Sequence, residues 1–579
     1  MAAGRGLGSK KRKLATKDAG EGEYKPVEVQ GEVFREGIIG KDATIRAKEE
    51  FQTSEPYPHF VLNDVVDQTR LRAVRDEIIH NLKATFKETD IYKVLQTGDL
   101  ANMDGLDEAS LKQLPNLKKL RDTLYSQSFR EFLENVTGCG KLIDKTDGSC
   151  NIYPQGGHLL CHDDVIGTRR VSYILYLTEP GEQWLSEYGG ALELYDCIGG
   201  SNGAGKAEKL PIPESHPCKK ILPQWNSMVL FAVLPGRSFH AIEEVVAVDK
   251  PRLSISGWFH GETPPKGYEN ASLNQIIVDQ NGNEMEGRGK QFSPLKQSIS
   301  PFGDSEWLSE ADVALLSEFI NRDYLVQSSV KRIAEKFVDE SHIQLHAFLR
   351  EEYASRITAT LKMVDEAGGL FDNAIPSHSV GVSKSWQVRG PTHKQRFLEF
   401  AGDGCVGEDP CSVLVELQKK CLLSGAFQRL VSSMSKVILN SARGSIRRFR
   451  PGLDYTMAHS GVQTAGYQLD ATLCFVQAND QWSLGEVGGY DCYMVNDGDG
   501  GSGYNNEHAE VYRAAAENED DETVTLPATG NCLNLVLCNE GVMRFTKYIS
   551  ADAGGSRWDI LNEYQITTED DDDEDDDDE

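Results

Sequence analysis

Two hydrophobic periods alternate along this chain, and the places where one gives way to the other divide it. Residues 1–28 follow neither period and are rich in Gly, Lys and Ala, a composition that predicts disorder. After Pro58 the stretch FVLNDVVDQTRLRAVRDEIIHNLKATF has apolar positions at helical spacing, with Asn63 as its expected cap. A second helical stretch is predicted over 110–136, started or broken at Pro115. The polar segment between them, KVLQTGDLANM, reads as a loop. From Gly148 the period shortens to two. NIYPQGGHLLCHDD, RRVSYILYLTEP, GGALELYDC, SMVLFAVLP, SFHAIEEV and RLSISGWFHG are short β-branched or aromatic runs bounded by turn residues, which predicts strands. A Gly/Lys/Pro-rich excursion between residues 197 and 223 lacks a phosphate-binding Gly-Lys-Ser/Thr pattern and reads as a surface loop.

Residues 262–303 have turn and polar character and read as a linker. Helices are then expected over 309–320, 328–365, 393–400 and 410–442, the last interrupted at Gly425. After Arg450 the strand texture returns, together with an internal repeat. DATLCFVQANDQWSLGEVGGYDCYMV parallels SYILYLTEPGEQWLSEYGGALELYDC, and GNCLNLVLCNEGVMRFTKYI parallels WNSMVLFAVLPGRSFHAIEEV. Aligning Asn226 with Asn531 carries His240 onto Phe545 and Arg252 onto Arg557.

Composition adds bounds. At 579 residues the chain is expected to hold more than one domain, and 39% hydrophobic with 26% charged residues is an ordinary globular balance. No apolar run is long enough to span a bilayer and no apolar leader is visible, so the expected setting is cytoplasm and nucleus, without membrane. Lys10-Lys11-Arg12-Lys13 is a candidate nuclear import signal. The 12 cysteines form no Cys-x-x-Cys pair, which argues against a zinc ribbon or a disulfide framework. The net charge is −30, and residues 569–579 are all Asp or Glu. The chain stays strongly acidic without that tail. Such a body binds phosphate backbones poorly, so direct nucleic-acid binding is not expected, and a basic protein partner is. The pattern sets no oligomeric state.

The candidate chemistry lies between Tyr153 and Gly261. Side chains alternate faces along a strand, so His162 and Asp164 are expected to project together. With the distant His240 they supply two imidazoles and one carboxylate, the donor set that leaves three positions of a non-haem Fe(II) open. Arg252 follows His240 by twelve residues, with Ser254 next on its face. A guanidinium fork suits a carboxylate, so this pair could hold the far end of a dicarboxylic acid. His158, on a strand, would sit roughly 13 Å from His162 along it, too far to share an ion. His260 ends a strand and is expected to be structural or near the mouth of the site. No His-Glu-x-x-His is present to support a zinc hydrolase. In the repeat, His459 is followed by Ser460 and Gly461, so the second copy lacks the carboxylate.

HLLCHDD, RRVSYILYLTEP, GGALELYD and KPRLSISGWFHG resemble the 2-oxoglutarate- and iron(II)-dependent oxygenases, and more closely the eukaryotic ribosomal prolyl 3-hydroxylases. The resemblance implies a mixed α/β (α+β) chain. Two double-stranded β-helix, jelly-roll-like domains with flanking helices are expected, the second catalytically silent. The expected division is a disordered basic N-terminus at 1–28, a catalytic domain at 29–261, a linker at 262–303, a degenerate second domain at 304–566 and an acidic tail at 567–579. It implies Fe(II), 2-oxoglutarate and O2, with L-ascorbate keeping the iron reduced. His162, Asp164 and His240 would be the ligands, and Tyr176 would join Arg252 and Ser254 at the 2-oxoglutarate carboxylate. The implied activity is C3 hydroxylation of a proline in a small-subunit ribosomal protein, with an effect on translation accuracy or termination. The alternative is an oxygen-sensing binding module that recruits translation or transcription partners through the second domain.

Overall fold

The computed structural model describes residues 24–199, 211–268, 291–303, 307–402, 409–458, 466–477, 480–495 and 523–567. The basic cluster at 10–13, the His459–Gly461 stretch and the acidic tail from 568 lie outside the described residues. The chain separates into two compact units that divide near residue 280. Each is a mixed α/β unit built on curled antiparallel sheet. Among the described residues no helix is long and apolar enough to cross a membrane.

In the first unit, helices α1 (Lys41–Thr53), α2 (Gln68–Asn81), α3 (Glu108–Leu111), α4 (Pro115–Leu124) and α5 (Gln127–Thr137) come before most of the strands. Helix α5 shows why they form where they do. Ser126 accepts from the Phe129 amide at its start, and Gly138, at φ 65°, turns the chain out at its end. Phe129, Phe132, Leu133 and Val136 fall on one face and are buried, each worth roughly 1.5–3 kcal/mol in apolar transfer. Helix α2 is capped by Asp67, whose side chain accepts from Arg70, whereas Asn63 ends a strand. The sequence periodicity missed α1, because two of its three buried positions, Ala43 and Ala47, are alanines that carry little signal. The presumed loop KVLQTGDLANM contains a strand and a 3₁₀ turn, Leu100–Gly105.

The strands of this unit are β1 (His59–Asn63), β2 (Thr85–Glu88), β3 (Tyr92–Gln96), β4 (Gly148–Tyr153), β5 (His158–His162), β6 (Arg169–Tyr176), β7 (Leu192–Leu194), β8 (Cys197–Ile198), β9 (Ile212–Pro213), β10 (Lys219–Ile221), β11 (Ser227–Ala232), β12 (His240–Ile242) and β13 (Arg252–His260). The main sheet runs β1-β11-β6-β13-β4-β3-β5-β12-β7-β10 and curls on itself. Strand alternation then assigns the two faces. Leu253, Ile255 and Phe259 of β13 join the helix-side core with Phe129 and Leu120. Arg252, Ser254, Ser256 and Trp258 point into the interior of the curl.

Asn226 fastens β11 to the loop before α2. Its backbone is left-handed (φ 58°), and its amide both accepts from Val66 N (3.0 Å) and donates to Val66 O (2.8 Å). Asn226→Ala removes both buried bonds, each worth about 1 kcal/mol net and more where the partner is left unsatisfied. We expect about 2–4 kcal/mol of lost stability in the first unit, read from the shift of its denaturant midpoint. Asn531 repeats the device with Leu349 N (2.8 Å) and Leu349 O (3.1 Å), at φ 52°.

The second unit contains β14 (Ser293–Ile299), β15 (His342–His346), β16 (Trp386–Arg389), β17 (Gln395–Phe400), β18 (Ile438–Phe449), β19 (Tyr455–Thr456), β20 (Gln468–Phe475), β21 (Asp491–Val495), β22 (Thr523–Leu526), β23 (Cys532–Cys538), β24 (Val542–Thr546) and β25 (Arg557–Thr567). Its sheet order β15-β23-β20-β25-β18 follows the β1-β11-β6-β13-β4 order of the first unit. Several expectations are corrected here. The single helix expected over 328–365 is two, Gln327–Glu340 and Glu351–Ala367. Ser341 turns left-handed (φ 56°) between them, and β15 follows with Ile343 and Leu345 buried. The helix expected over 393–400 is strand β17, buried on both faces, so the two-residue period is lost. The stretch 410–442 is helical only to Ser435; Lys436 (φ 58°) stops it and β18 begins at Ile438. Within the expected linker, Ser293–Ile299 pairs with β18.

Candidate metal and dicarboxylate site

Strand β5 ends at His162, directly opposite His240 of β12. The two imidazole rings lie 4.2 Å apart between centroids. Asp164 does not reach them by strand alternation, because it lies beyond the strand. Its φ of 60° turns the carboxylate back toward the histidines, while Asp163 is buried and accepts from the Val165 and Gly236 amides. His162 Nε2 lies 3.2 Å from Asp164 Oδ1, and His240 Nε2 lies 3.3 Å from Asp164 Oδ2. One donor atom from each residue falls within 4.8 Å of the others.

The ring orientation is set by the backbone. His162 Nδ1 sits 2.8 Å from Leu160 O and His240 Nδ1 sits 2.8 Å from Ser238 O. A carbonyl can only accept, so Nδ1 carries a proton and Nε2 is the ring atom presented to the carboxylate and to an ion held beside it. Burial would raise the Asp164 carboxyl, yet the His240 and His162 imidazoles hold it well below the usual carboxylate range. Burial would lower His162, but Asp164 raises it above the usual imidazole range. Two neutral-capable imidazoles and an ionised carboxylate suit a divalent ion such as Fe(II). Two further donors reach Asp164 Oδ2: Ser172 Oγ at 2.7 Å and Trp258 Nε1 at 2.9 Å.

Along the same face of β13 lies Arg252, fully buried. Its Nε donates to Gly190 O (2.8 Å) and its Nη1 to Ser254 Oγ (3.3 Å). Its guanidinium stands 5.1 Å from the Tyr153 ring and 4.9 Å from the Tyr176 ring. Gly190 is required here: at φ 72° it is in the left-handed region, and a Cβ would stand 3.2 Å from Arg252 Cδ. Arg252 Nη2 and the Tyr176 hydroxyl have no hydrogen-bond partner, although both are buried. Burial pushes the Tyr176 phenol up, with Arg252 partly offsetting it, so it stays a neutral O–H donor. Unpaired buried donors are costly and rare. Two of them on neighbouring residues fit one carboxylate of a dicarboxylic acid.

The structure thus brings His162, Asp164 and His240 together in one cluster, and Arg252, Tyr176 and Ser254 in another. His158 stays out of the metal cluster, its Nδ1 2.9 Å from Gly156 O. His260 lies with Asp147 (3.2 Å) and Thr168 (3.0 Å). Ser172 and Trp258 have no motif of their own. Their only sequence signal is phase, since Trp258 falls in step with Arg252 on β13 and Ser172 with Tyr176 on β6.

Strand register identifies the equivalent positions in the second unit. Arg557 donates to Gly489 O as Arg252 does to Gly190 O. Four residues beyond each glycine, Leu194 stands opposite His240 and Tyr493 opposite Arg544. Arg544 therefore holds the place of His240, and Phe545, which the sequence alignment put there, is its neighbour. The connection leading into that strand is one residue shorter in the second unit. Six residues beyond each arginine, Trp258 stands opposite Ser172 and Glu563 opposite Asp470. Asp470 and Glu563 both pair with Arg544. Burial would raise the Glu563 carboxyl, but the Arg544 and Arg443 guanidiniums hold it down at about 2. Arg557 itself is paired with Asp491 (2.7 Å) and Asp559 (3.0 Å).

Two family models match the chain. That described as the 2OG-Fe(II) oxygenase superfamily covers residues 148–260. That described as the oxoglutarate and iron-dependent oxygenase degradation C-term covers residues 311–573. The prolyl 3,4-dihydroxylase OGFOD1 of Ostreococcus tauri is 38% identical, over 88% of this chain and 95% of its own. The prolyl 3-hydroxylase OGFOD1 of Xenopus laevis is 27% identical, over 86% of this chain and 84% of its own. The prolyl 3-hydroxylase sudestada1 of Drosophila melanogaster is 25% identical, over 86% of this chain and 80% of its own.

Proposed function

Because the chain belongs to the 2-oxoglutarate- and iron(II)-dependent prolyl 3-hydroxylase family, we propose that its first unit hydroxylates C3 of a prolyl residue in a small-subunit ribosomal protein. The chain is a 2-oxoglutarate-dependent prolyl hydroxylase that uses Fe(II), 2-oxoglutarate and O2, and its substrate is a protein. In our reading His162, Asp164 and His240 hold the iron, and Arg252 with Tyr176 and Ser254 holds the distal carboxylate of 2-oxoglutarate. The observation that carries this is the pair of buried donors without partners, Arg252 Nη2 and the Tyr176 hydroxyl. Those donors support a dicarboxylate co-substrate, and the prolyl substrate follows from the family.

Bound iron with its co-substrates supplies the oxidation that replaces a prolyl C–H with C–OH, releasing succinate and CO2. The chain's own residues orient and protect. The Nδ1 hydrogen bonds of the two histidines keep both Nε2 atoms on the Asp164 side. Ser172 and Trp258 fix the carboxylate. Arg252 and Tyr176 set how far the co-substrate enters, and the Phe231 ring, 4.7 Å from that of His240, helps keep water out. We read the second unit as a degenerate jelly-roll copy without iron chemistry, because Arg544 stands at the His240 position. We also place the enzyme in cytoplasm and nucleus, with L-ascorbate keeping the iron reduced and with an effect on translation accuracy or termination.

The test is turnover of the full chain with Fe(II), 2-oxoglutarate and prolyl peptides from small-subunit ribosomal proteins. The expected result is a one-oxygen mass gain on proline with matching succinate. A second oxygen on the same residue would make it a dihydroxylase, as the Ostreococcus relative is named. Succinate that is never coupled to any of these peptides would overturn the substrate assignment.

A further inference from the structure

We propose that Trp258 and Ser172 are positioning residues that aim the Asp164 carboxylate at the metal, and that Arg169 and Asp147 act through Trp258. The proposal rests on the ligand set given above. Both donors converge on one oxygen, Oδ2, with Ser172 Oγ at 2.7 Å and Trp258 Nε1 at 2.9 Å. The other oxygen, Oδ1, faces His162, and Oδ2 itself also lies 3.3 Å from His240 Nε2. A carboxylate gripped twice on one oxygen offers the other to an ion and cannot rotate freely.

Trp258 is itself held. The Arg169 guanidinium lies 3.4 Å from the centre of its ring, on the face. A cation over an indole draws electron density from it and makes the N–H a stronger donor. Arg169 is fixed in turn by Asp147 Oδ2, at 3.3 Å from Nε and 3.2 Å from Nη2. The same carboxylate oxygen lies 3.2 Å from His260 Nε2, and His260 Nδ1 lies 3.0 Å from Thr168 Oγ1. Val165 and Val233 pack against the indole. The result is a continuous chain of contacts from Thr168 to Asp164.

The second unit gives an independent argument. The positions equivalent to Ser172 and Trp258 carry Asp470 and Glu563, and both grip Arg544, which stands where the first unit has His240. In the first unit these two positions carry neutral donors and grip the carboxylate beside His240; in the second they carry carboxylates and grip the guanidinium that stands at the His240 place.

The experiment is anaerobic titration of the full-length protein with Co(II), an air-stable stand-in for Fe(II). Its readouts are the visible ligand-field bands and the quenching of tryptophan emission. The wild type is expected to bind Co(II) stoichiometrically. Trp258→Phe and Ser172→Ala are each expected to weaken binding by about tenfold and to shift the bands. Trp258→Phe should also remove part of the Co(II)-quenched emission. Ser172→Thr keeps the hydroxyl and should restore the wild-type affinity. Arg169→Met keeps the indole and should show a smaller loss in the same direction. A purely structural role would lower the melting temperature yet leave affinity and bands unchanged, and that result in Ser172→Ala overturns the proposal even if Trp258→Phe fails to fold. A wild type that binds no Co(II) overturns the ligand set, and the proposal with it.

Discussion

Asp164→Ala is expected to abolish stoichiometric iron and, with it, succinate formation. The carboxylate is the one anionic donor in the cluster, and both imidazoles are aimed at it, at 3.2 and 3.3 Å. Four-ligand structural metal sites bind with roughly 10–16 kcal/mol. One ligand's share is then about 3 kcal/mol, or roughly 10²–10³-fold in affinity. At micromolar Fe(II) that difference separates a loaded site from an unloaded one. His162→Ala and His240→Ala should behave alike, because each leaves two protein donors. Anaerobic iron titration of the purified variants checks this directly. An Asp164→Ala protein that still holds one Fe(II) per chain would place the metal elsewhere.

Arg252→Gln is expected to act on the co-substrate and spare the metal. The 2-oxoglutarate concentration for half-maximal turnover should rise by about 10²-fold, the equivalent of roughly 3 kcal/mol for lost charge-assisted hydrogen bonds. Arg252→Lys should rescue little, since a single ammonium cannot reproduce a fork that already spends Nε on Gly190 O and Nη1 on Ser254. Tyr176→Phe removes one neutral donor and should cost about tenfold. Fe(II) affinity without 2-oxoglutarate separates loss of a contact from loss of the fold, and it should stay near the wild-type value in all three. Equal loss of metal and co-substrate affinity would mean that Arg252 serves the fold alone.

The ligand candidates were legible because their chemistry is carried by residue types that are costly to bury. A His-x-Asp pair, a distant His and an in-phase Arg-x-Ser stand out against strand sequence. What placed Asp164 was not legible, since its left-handed backbone is a tertiary product; strand alternation reached the right residue for the wrong reason. Ser172 and Trp258 read as ordinary strand residues, and only the curl of the sheet brings them to one carboxylate oxygen. Helices were misread where burial erased periodicity, as in β17, or where a single left-handed residue ended an otherwise helical run, as at Ser341 and Lys436. The repeat was legible in outline. Its register slipped at His240, where a one-residue difference in a turn exchanges Phe545 for Arg544.

The arginine at that place has a consequence for supply. Ligand binding stabilises a fold by an amount that grows with the logarithm of the free ligand, so the first unit's resistance to unfolding is expected to rise and fall with cellular iron and 2-oxoglutarate. The second unit carries its cation on a covalent stem and its counter-charges on its own strands. On the reading proposed above, a shortage of either ligand should weaken the first half of this polypeptide and leave the second unmoved.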